Sequence, residues 1–282
     1  MSKLKVAELF YSIQGEGRYM GVPSVFLRTF GCNFTCGGFG MPRGELSTER
    51  EEISQVVHMF NNYNELPLVK TGCDSYASWD PMFKDLSPMV AVEGLAKDIV
   101  KTLPYGEWKK EHLVITGGEP LLGWQRAYPD LLDQPCMTPL TEITFETNGT
   151  QKLSGNFKNY LRIWLAEQPG REITFSVSAK LPCSGEKWEE AICPEIVCDY
   201  EDVGYAYLKL VVATQEDVID ADRAVQEYRR AGFKGPVYLM PVGGVESVYS
   251  LNNRRVAELA MKRGYRYSDR LQVPLFKNAW GT

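Results

Sequence analysis

The sequence predicts an α/β fold, a (β/α)6 barrel of the TIM type that is closed or only partly closed, on two observations. Six short runs rich in β-branched and aromatic residues recur along the chain, and amphipathic stretches of helical period lie between them. That alternation implies a mostly parallel sheet with helices as crossovers. The strands are expected at 24–30 (SVFLRTF), 112–116 (HLVIT), 142–146 (EITFE), 173–178 (ITFSVS), 207–212 (YLKLVV) and 236–241 (PVYLMP). Helices are expected at 91–103 (AVEGLAKDIVKTL), 216–231 (EDVIDADRAVQEYRRA) and 246–263 (ESVYSLNNRRVAELAMKR). Residues 37–72 break the rhythm. They open on the Gly/Pro loop GGFGMPRG and close on NELPLVKTG, with a helix expected near 47–62. Ser47 is its expected N-cap, and Glu49, Glu51 and Glu52 suit its positive end. The chain therefore reads as one domain over 1–282 with an insertion at about 37–72, without internal repeats or a low-complexity linker.

Bulk properties narrow the function. Of 282 residues, 44% are hydrophobic and 24% charged, enough for a packed core and unlike a disordered chain. The net charge of −5 argues against broad electrostatic binding of nucleic acid, which needs a basic surface. No apolar run reaches 18 residues, and the N-terminal MSKLKVAELFYSIQGEG lacks a signal-peptide core, so a soluble, cytoplasmic protein is expected. Seven cysteines without a signal peptide suggest metal ligation or buried thiols rather than a disulfide framework. With only His58 and His112, a histidine-rich zinc site or a Ser-His-Asp triad is not expected, and a cofactor becomes the natural source of chemistry.

Five constellations carry that chemistry. Cys32 and Cys36 form a C-x3-C pair after the first barrel strand, and Phe39 stands where a third cysteine would complete C-x3-C-x2-C. Beyond residues 37–72 comes Cys73, followed by Asp74-Ser75-Tyr76. Three thiolates suit a 4Fe–4S cluster with one iron left open; two unligated strand-end cysteines are the plainer alternative. Thr116-Gly117-Gly118-Glu119-Pro120 closes the strand HLVIT. Its glycines let a ligand approach the backbone, or else they form a turn with Glu119-Pro120 opening a helix. Glu146-Thr147-Asn148-Gly149 and Ser178-Ala179-Lys180 stand at two further strand ends, where barrel enzymes keep their sites. Gln14-Gly15-Glu16-Gly17 precedes the first barrel strand, as a turn or a substrate loop, and Arg28 projects from that strand as a carboxylate fork or a surface ion pair.

Taken together, these residues resemble the radical S-adenosylmethionine (SAM) superfamily. FYSIQGEGRYMGVPSVFLRTFGCN (10–33), CDSYASWDP (73–81), TGGEP, ETNGT (146–150) and SAKLPCSGE (178–186) more narrowly resemble the 7-carboxy-7-deazaguanine synthase (QueE) family. The resemblance runs to GYRYSDRLQVPLFKNAWGT and leaves only 37–72 without a counterpart. It implies a modified, incomplete barrel, usually homodimeric, in an iron–sulfur lyase of queuosine-type biosynthesis. Such an enzyme converts 6-carboxy-5,6,7,8-tetrahydropterin to 7-carboxy-7-deazaguanine and ammonia, using a 4Fe–4S cluster, SAM and Mg²⁺. An electron donor such as flavodoxin or ferredoxin is implied, and neither nucleic acid nor membrane. By the same resemblance, Cys32, Cys36 and Cys73 hold the cluster. Gly72, Cys73, Asp74, Gly118, Ser178, Ala179 and Lys180 contact SAM, and Ser75 ligates Mg²⁺. Ile13, Gln14, Gly15, Arg28, Thr116 and Thr282 contact the pterin.

The sequence departs from the family in three places. The insertion stretches the ligand pattern to C-x3-C-x36-C. Ser75 replaces the usual Thr, the same oxygen donor on a less restrained side chain. Cys183, Cys193 and Cys198 form a C-x9-C-x4-C series open to an auxiliary cluster, zinc or no ligand, while Cys136 reads as a core residue. Two rival functions share part of the pattern: a glycyl-radical activase, which needs neither pterin nor Mg²⁺, and a non-catalytic binding module that has lost iron.

Overall fold

The structure is a computed structural model that describes residues 2–282. Strands β1 (Lys3–Ile13), β2 (Pro23–Thr29), β3 (Met89–Ala91), β4 (His112–Gly117), β5 (Glu142–Thr147), β6 (Glu172–Val177), β7 (Tyr205–Val212), β8 (Val237–Pro241) and β9 (Arg266–Tyr267) make one sheet. Its order is β3-β1-β2-β4-β5-β6-β7-β8-β9. Strands β2, β4, β5, β6, β7 and β8 pair in parallel, and these are the six expected runs. They are buried almost throughout, as strands covered on both faces must be. The lone charge inside β7, Lys209, is 4% exposed.

The sheet has three further strands that periodicity did not reveal. β1 lies antiparallel on β2, β3 antiparallel on β1, and β9 adds two residues parallel to β8. Lys3, Lys5 and Glu8 interrupt the apolar pattern of β1. It is fixed instead by cross-strand pairs: Phe10 stacks on Phe26 with ring centroids 4.9 Å apart, and Glu8 stands opposite Arg28. The edge strands β3 and β9 do not pair with each other, so the sheet curls without closing into a barrel.

The helices are α1 (Glu49–Gln55), α2 (Val92–Thr102), α3 (Tyr128–Leu132), α4 (Gly155–Glu167), α5 (Trp188–Ala191), α6 (Pro194–Glu201), α7 (Gln215–Ala231), α8 (Glu246–Arg263) and α9 (Gln272–Phe276). Three match the expected stretches closely. α7 begins with a Thr214/Asp217 capping box and ends at Gly232. α4 and α6 complete the crossovers that parallel strands require. The helix expected at 47–62 is corrected: α1 stops at Gln55, and a short 3-10 turn over Val57–Met59 follows. The β-branched Val56-Val57 pair is a poor continuation, and Asn62 caps a separate turn by accepting from Asn64 N. Thr48 rather than Ser47 occupies the N-cap position, without a side-chain cap bond. The Glu49 carboxylate instead accepts the backbone N–H groups of Lys70 (2.8 Å) and Thr71 (3.1 Å), tying this helix to the far end of its own segment. Among the described residues, no helix is long and apolar enough to cross a membrane.

His112, at the N-terminal end of β4, is fully buried between Ser24 Oγ (3.3 Å) and Thr144 Oγ1 (2.8 Å). Burial, helped by Arg18, pulls its pKa down to about 3. The unfolded chain takes up this proton near pH 6.5 and the folded chain does not, so His112 costs stability as pH falls through 6.5. Urea unfolding of wild type and His112→Gln should show the wild-type advantage shrinking by about 1.4 kcal/mol between pH 7.5 and 5.5. An unchanged gap would mean that the folded protein protonates His112.

Candidate active site

The C-terminal ends of the parallel strands and the loops beyond them enclose one cavity. Three residues after β2 the chain reaches Cys32. Phe34, Cys36 and Ala191 are buried together, and Cys32, Phe39 and Cys73 pack against them. Cys73 returns to this point because Gly72 N donates to Phe39 O at 2.7 Å and Ser47 N to Gly37 O at 2.8 Å. These backbone bonds pinch the base of segment 37–72 shut. Cys36 has φ of 50°, a left-handed conformation that non-glycine residues seldom hold. Glu186 fixes it there by accepting the N–H groups of Thr35 (2.8 Å) and Cys36 (2.7 Å).

All three thiols line the cavity, and none is in a disulfide. Burial pushes Cys32 up to about 12 and raises Cys36 and Cys73 as well. In Cys36 the negative charges of Cys73 and Cys32 add to that rise, while Lys180 opposes it. Three soft donors packed together on one cavity suit a cluster, whose irons would draw off the thiol protons that burial otherwise retains. Among the described residues no three His, Cys, Asp or Glu side chains are grouped to hold a single metal ion. Cluster thiolates bind separate irons and so stand farther apart than the ligands of one ion. Cys183, Cys193 and Cys198 diverge: their sulfurs donate to Val211 O, Glu190 O and Ala231 O respectively. Cys136 packs on the main core.

The Gly-Gly turn after β4 lies against the cysteine loop. A Cβ on Gly118 would stand 2.4 Å from Gly31 O and 2.7 Å from Cys32 Cβ, so only glycine allows this approach. Glu119 does not open a helix. Its buried carboxylate accepts from Asn148 N (2.6 Å), Thr147 Oγ1 (2.8 Å) and Leu121 N (3.0 Å), stitching the ends of β4 and β5 together. Burial pushes its pKa up to about 7 against these donors.

A chain of alternating charges crosses the cavity floor. Lys209 pairs with Glu16 and lies 3.8 Å from Glu146. Arg270 donates to Glu16, to Asp74 and to Gly243 O. Burial would raise the Glu16 pKa, but Lys209 and Arg270 outweigh it and hold the carboxyl down at about 2. Beside this chain, Arg28 Nε donates to Glu8 at 2.7 Å and its Nη1 to Ser75 Oγ at 3.1 Å. Gln14 is fixed at both ends of its amide, donating to Glu146 (3.2 Å) and accepting from Glu16 N (3.0 Å).

Ile13, Gln14, Gly15, Arg28, Gly72, Cys73, Asp74, Ser75, Thr116, Gly118, Ser178, Lys180 and Thr282 all line the cavity. Ala179 is the exception; its side chain is 1% exposed and belongs to the core. Glu16 and Glu146, from the expected turn and strand-end constellations, line the cavity too, as do Lys209, Arg270 and Gln272, which the sequence did not single out. Lys209 had a signal, being the one charge in an apolar strand. Arg270 and Gln272 had none, because they come from a turn and a short helix far along the chain.

An open (β/α) barrel with three convergent thiols and a close-packed Gly-Gly turn at its strand ends is the arrangement of radical SAM enzymes. No family model matches the chain. The 7-carboxy-7-deazaguanine synthase of Halobacterium salinarum is 30% identical, over 98% of this chain and 91% of its own length. That of Rhodopirellula baltica is 28% identical, over 100% of this chain and 90% of its own. The crystal structure of QueE from Escherichia coli shares the fold, with a TM-score of 0.55 and 20% identity, over 95% of this chain and 94% of the other. The chain belongs to the 7-carboxy-7-deazaguanine synthase family.

Gly118→Ala tests the fit of turn to cysteine loop. Overpacking of this kind costs about 1–3 kcal/mol. Because the clash is with backbone and a cysteine Cβ, the variant should lose most of its iron after anaerobic reconstitution. Wild-type iron content would show that the loop yields without losing the thiol geometry.

Proposed function

We propose that this protein converts 6-carboxy-5,6,7,8-tetrahydropterin to 7-carboxy-7-deazaguanine with release of ammonia, as a single radical SAM domain interrupted at 37–72. Family membership supports the reaction. The observation that carries the site is the convergence of Cys32, Cys36 and Cys73 on the cavity that Gln14, Arg28 and Thr116 also line. On this reading the three cysteines hold a 4Fe–4S cluster. Gly72, Asp74, Gly118, Ser178 and Lys180 meet SAM, with Ala179 contributing through its backbone. Ile13, Gln14, Gly15, Arg28, Thr116 and Thr282 meet the pterin. Cluster and SAM, once bound and given an electron by the external donor, would supply hydrogen-abstracting radical chemistry at the substrate.

The chain's own residues bind, orient and exclude water. Arg28 is locked by Glu8 on one side, which leaves its fork pre-organised for a carboxylate. Glu146 and the backbone around Gln14 offer acceptors to the N–H edges of a pterin. The Glu16–Lys209–Arg270 chain keeps that loop rigid, so a reactive substrate is held in one pose. An electron donor such as flavodoxin or ferredoxin, a homodimeric assembly and a reducing, cytoplasmic setting belong to the same reading; seven free cysteines suit that compartment.

Anaerobic reconstitution followed by pterin, SAM and dithionite should give the deazaguanine acid and ammonia. A loaded cluster without that product would instead favour another radical SAM reaction, such as glycyl-radical activation. Cys73→Ala should lose most of its iron, and full retention would remove Cys73 from the ligand set.

Mg²⁺ at Ser75 has a particular requirement here. The Ser75 hydroxyl accepts from the Arg28 cation and donates to Asp74 Oδ1 at 3.4 Å, while Asp74 Oδ2 pairs with Arg270 and Glu8 pairs with Arg28. A second cation beside Arg28 would therefore need further negative charge, which a bound substrate carboxylate would supply. Mg²⁺ binding should be at least tenfold tighter with the pterin present, by about 1.4 kcal/mol or more. Ser75→Ala should abolish that gain; an equal affinity without pterin would move the metal elsewhere.

A further inference from the structure

The residues between Cys36 and Cys73 share a small apolar cluster with Ala7 of β1 and the turns after Cys73, and it captures a distant part of the chain. Tyr63, Leu66 and Val69 are buried with Tyr76, Ala77 and Phe83, and Trp280 packs onto them. The Trp280 indole N–H donates to Leu66 O at 3.1 Å. Its ring meets Tyr63 and Tyr76 edge-on, with centroids 5.5 and 5.7 Å away. Just before it, Lys277 and Asn278 adopt φ of 59° and 55°, two successive non-glycine residues in the left-handed region. This costly turn swings the chain from α9 across the cavity, and Asn278 Nδ2 fixes it by donating to Gly244 O at 2.8 Å. Residues 278–282 then line the cavity beside Leu68 and Lys70 of the 37–72 segment.

We infer that segment 37–72 is a dock that holds residues 278–282 as a wall of the substrate cavity, with Trp280 as its positioning residue. The inference rests on the reading that this cavity takes the pterin. A strained turn persists only when its surroundings over-determine it, and the segment supplies two of the Trp280 contacts, through Tyr63 and Leu66 O. Without them the wall detaches, the cavity opens to water, and pterin binding loses an ordered surface. The cysteines lie in a packed group separate from Trp280, and the backbone bonds at the base of the segment do not involve it, so removing the Trp280 side chain should leave the cluster in place.

The test compares wild type, Trp280→Ala and Trp280→Phe in the full-length, cluster-loaded protein. Trp280→Ala should raise KM for the pterin about tenfold or more and raise 5′-deoxyadenosine formed per product. Iron content and KM for SAM should stay within about twofold. Trp280→Phe keeps the ring packing and should recover most of the loss. Hydrogen exchange without substrate should show residues 278–282 losing protection in Trp280→Ala. Unchanged exchange there, or an unchanged pterin KM, would overturn the inference. So would loss of iron in both variants, which would make Trp280 merely structural. Were wild type to form no product from the pterin, the proposed function would fall, and the exchange measurement would still decide whether the dock exists.

Discussion

The site depends on one buried arginine. Arg270 reaches Glu16 in the loop before β2, Asp74 beside the third cysteine, and the backbone of Gly243 after β8. It is 9% exposed, and burial alone would favour loss of its charge; Asp74 and Glu16 outweigh that and hold it protonated. Such a group is expensive to desolvate and expensive to leave unpaired. The three segments that meet it are therefore tied to a single arrangement, although they lie far apart in sequence. Lys209 extends the chain of charges to β5. Positive and negative groups alternate, so each charge is offset locally.

The open sheet makes room for this arrangement. Six parallel strands bring their polar ends to one side, while β1 and β3 cover one edge and a two-residue β9 barely extends the other. A closed barrel would fill its interior with side chains. Here the loop carrying Gln14 and the turn carrying Arg270 close over the unpaired side instead, through Leu271 N donating to Gly15 O at 3.0 Å.

The repeating part of this fold was legible in the sequence. β-branched runs such as HLVIT and ITFSVS, and the helical period of 216–231, depend on local burial alone, and each appears where its pattern lies. β1 was not legible, because its stability comes from pairing with β2 rather than from an apolar stripe. The helix at 47–62 was overread, since its acidic first turn serves Lys70 and Thr71 rather than a long helix. In the site, cysteines, glycines and strand-end motifs announce themselves by residue type and spacing. Arg270, Gln272 and Trp280 matter through tertiary contact; the stretch that carries them shares the family resemblance, but no residue type or spacing in it singles them out. Phe39 stands at the position of a missing ligand, and its carbonyl receives the N–H that brings Cys73 home.

That pinch between Phe39 and Gly72 also bears on how the protein matures. In a compact C-x3-C-x2-C loop, an unfolded chain already presents three neighbouring thiols. Here 36 residues separate the third from the second. By the logarithmic cost of loop closure, gathering it in an unfolded chain is harder by about 2 kcal/mol than across two residues. If Cys73 completes the set, iron has little hold on the nascent polypeptide. Segment 37–72 must collapse before the metal can be delivered, which makes folding the gatekeeper of cofactor loading.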